Sequence, residues 1–167
     1  MKIKIKLNNT KLPNIIEKGD WIDLYAAENI DIKKGQFAKI NLGVAMELPK
    51  GYEAIIAPRS STFKYYSITM ANSIGIIDST YCGNNDYWSF AAIAHNNVSI
   101  KAGNKICQFR IQLSQKATFW QKLKWLFSSK IKFKEVDVLN KPDRGGFGSG
   151  VVCCGRSVGN NTNFPNH

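Results

Sequence analysis

Residues 2–7 alternate without a break, with Ile3, Ile5 and Leu7 on one side and Lys2, Lys4 and Lys6 on the other. A period of two marks a half-buried strand, and its lysine edge resists edge-to-edge aggregation. Residues 8–20 are rich in turn formers. The pattern then predicts strands over Phe37 to Glu47 and Tyr52 to Ala57, joined by the turn Leu48-Pro49-Lys50-Gly51. Ser60 to Lys64 suits one helical turn, with Ser60 as N-cap and Pro58 fixing the entry. Ile68 to Asn72 leads into the apolar run Ile74 to Ile77, expected as a buried strand bending at Gly75, where no Cβ obstructs the turn. Further strands are predicted over 87–95, 98–100 and 105–113.

The pattern changes after residue 113. Phe119, Leu123, Leu126 and Phe127 share one helical face, with Lys122 and Lys124 elsewhere on the turn. Trp120 and Trp125 add to the apolar surface, and the expectation is that it packs within the protein's own assembly. Ile131 and Phe133 then alternate with Lys130, Lys132 and Lys134 as a strand does. The expected layout is a single domain: a β-barrel core over 1–113, a basic amphipathic insertion over 114–142, a mobile arm over 143–150 and a flexible tail over 151–167.

Short strands broken by Gly, Pro and Asn, without repeats or strand–helix alternation, predict an all-β barrel or sandwich and exclude a Rossmann-type sheet. A chain of 167 residues is long enough for one sizeable core, and its 44% hydrophobic content excludes global disorder. No apolar run approaches the ~18 residues of a membrane span, and the N-terminus has no signal-peptide core. The cysteines at 82, 107, 153 and 154 lack the C-x-x-C spacing of a zinc site, so reduced thiols and a cytoplasmic setting are expected. The net charge of +11 suits either a nucleic-acid partner or a small polyanionic substrate steered by the field.

Candidate chemistry centres on carboxylates. The two histidines are His95, in a predicted strand, and His167, the last residue, which leaves Ser-His-Asp and Cys-His catalysis without support. Asp78 stands at the lip of an apolar strand, where a carboxylate needs a partner or a task; Asp-Ser-Thr is equally common turn chemistry. Arg59, Ser60 and Ser61 at a helix start read either as a phosphate site or as a capped turn.

Five segments resolve these pairs of readings together. Asp23-Leu24, Ala57-Pro58-Arg59-Ser60-Ser61, Ser73 to Gly83, Gly103 to Arg110 and Arg144 to Gly150 occur in the order and approximate spacing of the five motifs of the homotrimeric dUTPases. The resemblance runs from about Lys2 to Gly150 and is closest to the bacterial and phage branch, through Thr62-Phe63-Lys64. It departs at Asp20-Trp21-Ile22, where the family usually carries Ala-Gly and an aromatic residue, and at Gly148-Ser149-Gly150, which lacks a threonine.

The resemblance implies a distorted jelly roll with one or two short helices, trimeric about a threefold axis with sites at subunit interfaces. It implies hydrolysis of dUTP to dUMP and pyrophosphate, with Asp78 activating the attacking water. Tyr81 would pack under the deoxyribose, while Asn72 and the backbone of Ile76, Ile77 and Asp78 would read uracil. Arg59, Ser60, Ser61 and Gln108 would hold phosphates. From the arm, Arg144 would grip the γ-phosphate, Phe147 would stack on uracil and Ser149 would add a hydroxyl. One Mg²⁺ would ride on the triphosphate, with Asp23 reaching it through water.

Two rivals remain. A dCTP deaminase of the same superfamily calls for a glutamate base near the pyrimidine, where the local stretch offers only Asp78. A non-catalytic module is supported by the basic insertion. No stable nucleic-acid binding is expected; a regulatory protein partner is compatible with phage relatives of the family.

Overall fold

A computed structural model describes residues 1–15, 19–127 and 130–147, and its architecture is all-β with two short helices. The alternation at the N-terminus forms β1 (Lys2–Leu7), with Ile3 and Ile5 fully buried. β1 lies between β5 (Val44–Glu47), antiparallel, and β12 (Lys132–Glu135), parallel. The lysine-alternating segment after the second helix thus becomes an edge strand beside the chain's own beginning. A second sheet has the order β4 (Phe37–Asn41), β9 (Ser89–Ala94), β7 (Ile68–Met70), and β3 (Ile30–Ile32) pairs with β10 (Val98–Ile100).

The strand expected over Phe37 to Glu47 is two strands in two different sheets. The break falls at Gly43, whose φ of +67° is open to glycine and strained for other residues. A Cβ there would also collide with the Asn8 carbonyl and crowd Thr10 and Ala27. The bend expected at Gly75 lies at Ser73 instead, with φ +59°. Gly75 opens β8 (Gly75–Asp78) and lies close against Met70 and Ile56. The run Ile74 to Ile77 is not uniformly buried either: Ile74 and Ile76 are exposed, because β8 alternates and its register with the strand Tyr52–Pro58 puts Ile76 on the outward face beside Ile55.

The site is carried by the sheet β2 (Ile22–Tyr25), β11 (Lys105–Leu113), β6 (Tyr52–Pro58), β8. Directly paired antiparallel residues share a face, so cross-strand rows can be read from the register. Ile22–Phe109–Ile56–Gly75 and Ile111–Ala54–Ile77 are inward rows. They meet Trp88, which packs edge-on to Phe109 with centroids 5.2 Å apart at the centre of the core. The rows between them face outward.

Helix α1 (Thr62–Tyr66) starts one residue later than expected: its N-cap is Ser61 rather than Ser60, with no side-chain cap bond. Thr62 does the local work, accepting from the Arg59 amide (2.9 Å) and donating to the Ile106 carbonyl (2.7 Å). Helix α2 (Phe119–Phe127) begins in a reciprocal Thr118–Gln121 capping pair, and Gln121 also donates to the Lys50 carbonyl at 2.6 Å. That bond seats the start of α2 on the 48–51 turn. The expectation of a buried apolar face is not met within one chain. Trp125 packs on Tyr52, but Phe119, Trp120, Leu126 and Phe127 are each at least 70% exposed.

Substituting Gly43→Ala is expected to destabilise the fold by about 1–3 kcal/mol, the scale of a strained backbone plus a steric clash. A lower urea midpoint at unchanged m-value checks this; a wild-type midpoint would show that the β4–β5 break tolerates a side chain.

Candidate active site

The outward face of the β2-β11-β6-β8 sheet carries three cross-strand rows. Gln112, Glu53 and Asp78 form one; Arg110, Ile55 and Ile76 form the next; Asp23, Gln108 and Ala57 form the third. The first and third rows bracket positions 53 and 57 of β6, a separation of about 13 Å at roughly 3.3 Å per residue. Ile76, 53% exposed, and Ile55 lie between them.

The third row gathers much of the expected phosphate machinery. Asp23 pairs with Arg59 Nε at 2.8 Å and with Lys105 Nζ at 2.9 Å, one cation on each carboxylate oxygen. The Arg59 guanidinium also donates to Ser61 Oγ (3.3 Å), and Gln108 donates its amide to the Pro58 carbonyl (3.1 Å). Hydrogen bonding to Asp23 raises the Lys105 pKa. Ser60 is exposed at the start of the α1 turn. Arg59, Ser61, Gln108 and Asp23, with Lys105 and the adjacent Ser60, therefore form one cluster in which two cations meet a single carboxylate.

Asp78 stands at the other end of the face, in a cleft of about 1130 Å³ lined also by Glu53, Thr80, Arg144, Lys50 and Lys116. Its Oδ1 accepts from the Thr80 amide (2.8 Å) and the Thr80 hydroxyl (2.5 Å), and its Oδ2 pairs with the Arg144 guanidinium. Burial alone would raise the Asp78 pKa, but the two Thr80 bonds and the bond and charge of Arg144 outweigh it and hold the carboxyl below its ordinary value. It is ionised at neutral pH. Glu53, opposite Asp78 on β6, accepts from Gln112 Nε2 at 2.8 Å.

Tyr81 is half buried beside this cleft. Its hydroxyl donates to the Tyr87 carbonyl (3.1 Å), and Gly146 lies against its ring. Burial, reinforced by the charges of Asp86 and Asp143, raises the phenol pKa. Asn72 is exposed in the turn leading into β8, and Ile77 faces inward. Phe147 lies under Lys39 Nζ, 4.8 Å from the ring centroid. Ser149 and the rest of residues 148–167 lie outside the described residues.

Sequence reasoning missed Thr80, Glu53, Lys105 and Asp86. The Asp-x-Thr spacing of an Asx-type turn signals Thr80, and Lys105 lies within a quoted motif. Glu53 and Asp86 become visible only through pairing and burial. Asp86 is 1% exposed and accepts from the backbone amides of Gly83, Arg144 and Gly145.

An all-β protein that carries an ionised carboxylate and an Arg–Asp–Lys cluster on one sheet face is the class that this fold and face define, and comparison with known proteins gives the family. A dUTPase family model matches residues 8–124. The SPbeta prophage-derived deoxyuridine 5'-triphosphate nucleotidohydrolase of Bacillus subtilis is 48% identical over 151 residues, covering 89% of this chain and 97% of the relative. The deoxyuridine 5'-triphosphate nucleotidohydrolase of Finegoldia magna is 32% identical over 154 residues, with coverages of 89% and 97%. Among solved structures, a Streptococcus mutans dUTPase superposes with a TM-score of 0.62 at 21% identity, over 69% of this chain and 98% of that one. A dUTPase from phage phi11 of S. aureus, described with a coordinated structural Mg(II) ion, gives 0.61 at 17%, over 70% and 94%. The chain belongs to the dUTPase family.

Because the folded Asp78 carboxyl titrates below its ordinary value of 3.8, its ionised form contributes stability at neutral pH that is lost as pH falls through the folded pKa. Substituting Thr80→Val removes a hydroxyl donor and is expected to raise the Asp78 pKa. A carboxyl-carbon NMR titration reads this directly; an unmoved titration curve would show that the Thr80 hydroxyl has no hold on the carboxylate.

Proposed function

We propose that this chain hydrolyses dUTP to dUMP and pyrophosphate, with Asp78 as the base that orients and deprotonates the water attacking the α-phosphorus. The observation that carries this reading, in a chain of the dUTPase family, is the ionised carboxylate of Asp78 held at the end of a rigid strand, in a cleft on the same sheet face as the Arg59 cluster. A base must be held within hydrogen-bond reach of the proton that it takes, and Thr80 supplies that restraint. Arg59, Ser60, Ser61 and Gln108 bind the phosphates, where Arg59 offsets charge gathering on their oxygens. Tyr81 packs beneath the deoxyribose and leaves no room for a 2′-hydroxyl. Because β8 is an edge strand, the backbone of Ile76 to Asp78 has an outer side available for hydrogen bonds to a uracil, and Asn72 stands at its entry.

One Mg²⁺ accompanies the triphosphate and shields its charge. Among the described residues no group of three or more His, Cys, Asp or Glu is placed to hold a metal ion. With Asp23 already engaged by Arg59 and Lys105, the ion would be held by phosphate oxygens and water, and Asp23 would reach it through a water molecule.

The rows that carry Asp78 and the Arg59 cluster stand about 13 Å apart along β6, farther than an attacking water and one phosphoryl group span. The working site therefore combines Asp78 from one copy with Arg59 from another, which supports a homotrimer with interfacial sites. The exposed Ile76 and the half-buried Ile55 between the rows give such a partner an apolar surface to cover.

Pyrophosphate release measured with dUTP, dCTP, dTTP and UTP side by side is expected to favour dUTP strongly; preference for dCTP with ammonia release would instead mark the deaminase. Asp78→Asn is expected to lower turnover by about a hundredfold or more, the scale of general-base help; unchanged turnover would remove Asp78 from the chemistry.

Chains carrying Asp78→Asn and chains carrying Arg59→Ala, each nearly inactive alone, are expected to regain activity when subunits are exchanged between them. Mixed oligomers confirmed by native mass spectrometry but showing no recovery would place both residues in the same subunit's site.

A further inference from the structure

Helix α2 turns its apolar side away from the barrel. Two of its side chains seat it: Gln121 donates to the Lys50 carbonyl at 2.6 Å, and Trp125 packs against Tyr52 with centroids 5.6 Å apart. Their i, i+4 spacing puts both on one side of the helix. At about 100° per residue, the arc centred opposite them holds Leu126, Phe119, Leu123, Phe127 and Trp120 within about 120°. Leu123 is half-buried, and the other four are each at least 70% exposed. Phe119 and Trp120 meet edge-on with centroids 5.6 Å apart, which makes the surface continuous. A contiguous apolar patch of this kind on an otherwise polar surface marks a docking site.

The charge around the arc identifies what docks there. Lys122 and Lys124 stand about 40° beyond its two edges, one on each side. Residues 116–134 hold six lysines and no Asp or Glu. Every one of those lysines is exposed, and none belongs to an ion pair among the described residues. Beyond α2 the chain runs into Lys130, Lys132 and Lys134, which with Lys2 line a cleft of about 590 Å³. A second copy of α2 would bring like charges together with no carboxylate between them. Single-stranded nucleic acid would use the lysines and the rings, but Leu123 and Leu126 offer no platform on which a base can stack.

An anionic bilayer uses the whole surface. The apolar arc enters the boundary between headgroups and acyl chains, while the flanking lysines extend along it and leave their ammonium groups at the phosphates. A helix of nine residues is about 14 Å long, less than half of the ~30 Å hydrocarbon core, so it lies in the plane of the surface. No helix among the described residues is long and apolar enough to cross a membrane. We propose that α2 is a peripheral docking surface for anionic lipid bilayers, with Phe119, Trp120, Leu126 and Phe127 inserted and Lys122 and Lys124 on the headgroups. Docking and hydrolysis are separate properties, because none of these six residues lies in the Asp78 cleft or the Arg59 cluster.

The test mixes the full chain with vesicles of phosphatidylcholine alone and of phosphatidylcholine with phosphatidylglycerol, read by co-sedimentation and tryptophan emission. The protein is expected to sediment with the anionic vesicles and to shift its emission to the blue, and added salt is expected to weaken both effects. Lys122→Gln with Lys124→Gln is expected to weaken binding by roughly fivefold per lysine, and Lys122→Arg with Lys124→Arg to keep it. Leu126→Ser with Phe127→Ser is expected to remove most of the sedimentation, with Tm and oligomer size unchanged. Trp120→Phe is expected to remove much of the blue shift and leave sedimentation in place, because Trp120 is the exposed indole of α2. Full vesicle binding by the serine variant would be attraction by the net charge of +11 alone and overturns the proposal. Emission that is already blue and indifferent to vesicles, without sedimentation, would mean that another subunit covers the arc, and overturns it too. So would retention on a single-stranded oligonucleotide by a protein that ignores both kinds of vesicle.

Discussion

The antiparallel register of β6 against β11 and β8 is the constraint on which the rest of this molecule depends. It places Phe109, Ile56 and Gly75 on the inward side, and the alternate residues Gln108, Glu53 and Asp78 on the outward side. A one-residue slip of β6 would exchange the two faces, burying the carboxylates and exposing the core. Core stability and site geometry are therefore one interaction seen from two sides of a sheet. The same register separates the Asp78 row from the Asp23–Gln108 row.

Electrostatics divide along that face. Asp23 is met by two cations and Asp78 by Arg144, so neither catalytic-motif carboxylate stands without a counter-charge. Much of the surplus positive charge lies elsewhere. Lys2 and Lys4 of β1 are directly paired with Lys132 and Lys134 of β12, a like-charge arrangement that weakens the edge pairing and discourages further strand addition. The α2 segment contributes differently. Its Thr118–Gln121 capping pair and the Lys50 carbonyl bond bring Lys116 and Thr118 to the wall of the Asp78 cleft, so an insertion outside the quoted motifs shapes the site.

Much of the fold was legible because it follows from local periodicity. β1, β6, β10 and β11 fall where alternation placed them, and β12 follows the Phe133 pattern. The misplacements share a cause. Gly43 splits an apparent strand because Asn8, distant in sequence, crowds its Cβ position; Ile76 faces outward because its register puts it opposite Ile55 on the outward face; α2 exposes Phe119 and Phe127 because it is seated through Gln121 on the 48–51 turn and through Trp125 on Tyr52. In each case the deciding contact comes from another part of the chain.

The site divides in the same way. Asp23, Arg59, Ser61 and Gln108 were identifiable from motif resemblance, and the structure gathers them. What the residues alone determined was most of the strand-forming segments, the all-β class and the family to which the motifs belong. Side-chain type and spacing are properties of the chain itself, which is why they could be read there. Which strands pair, which residues share a row, and that Asp86 accepts from the Arg144 and Gly145 amides were decided by tertiary structure. Hydrogen-bond register, burial and the meeting of segments nearly sixty residues apart arise only when the backbone closes on itself.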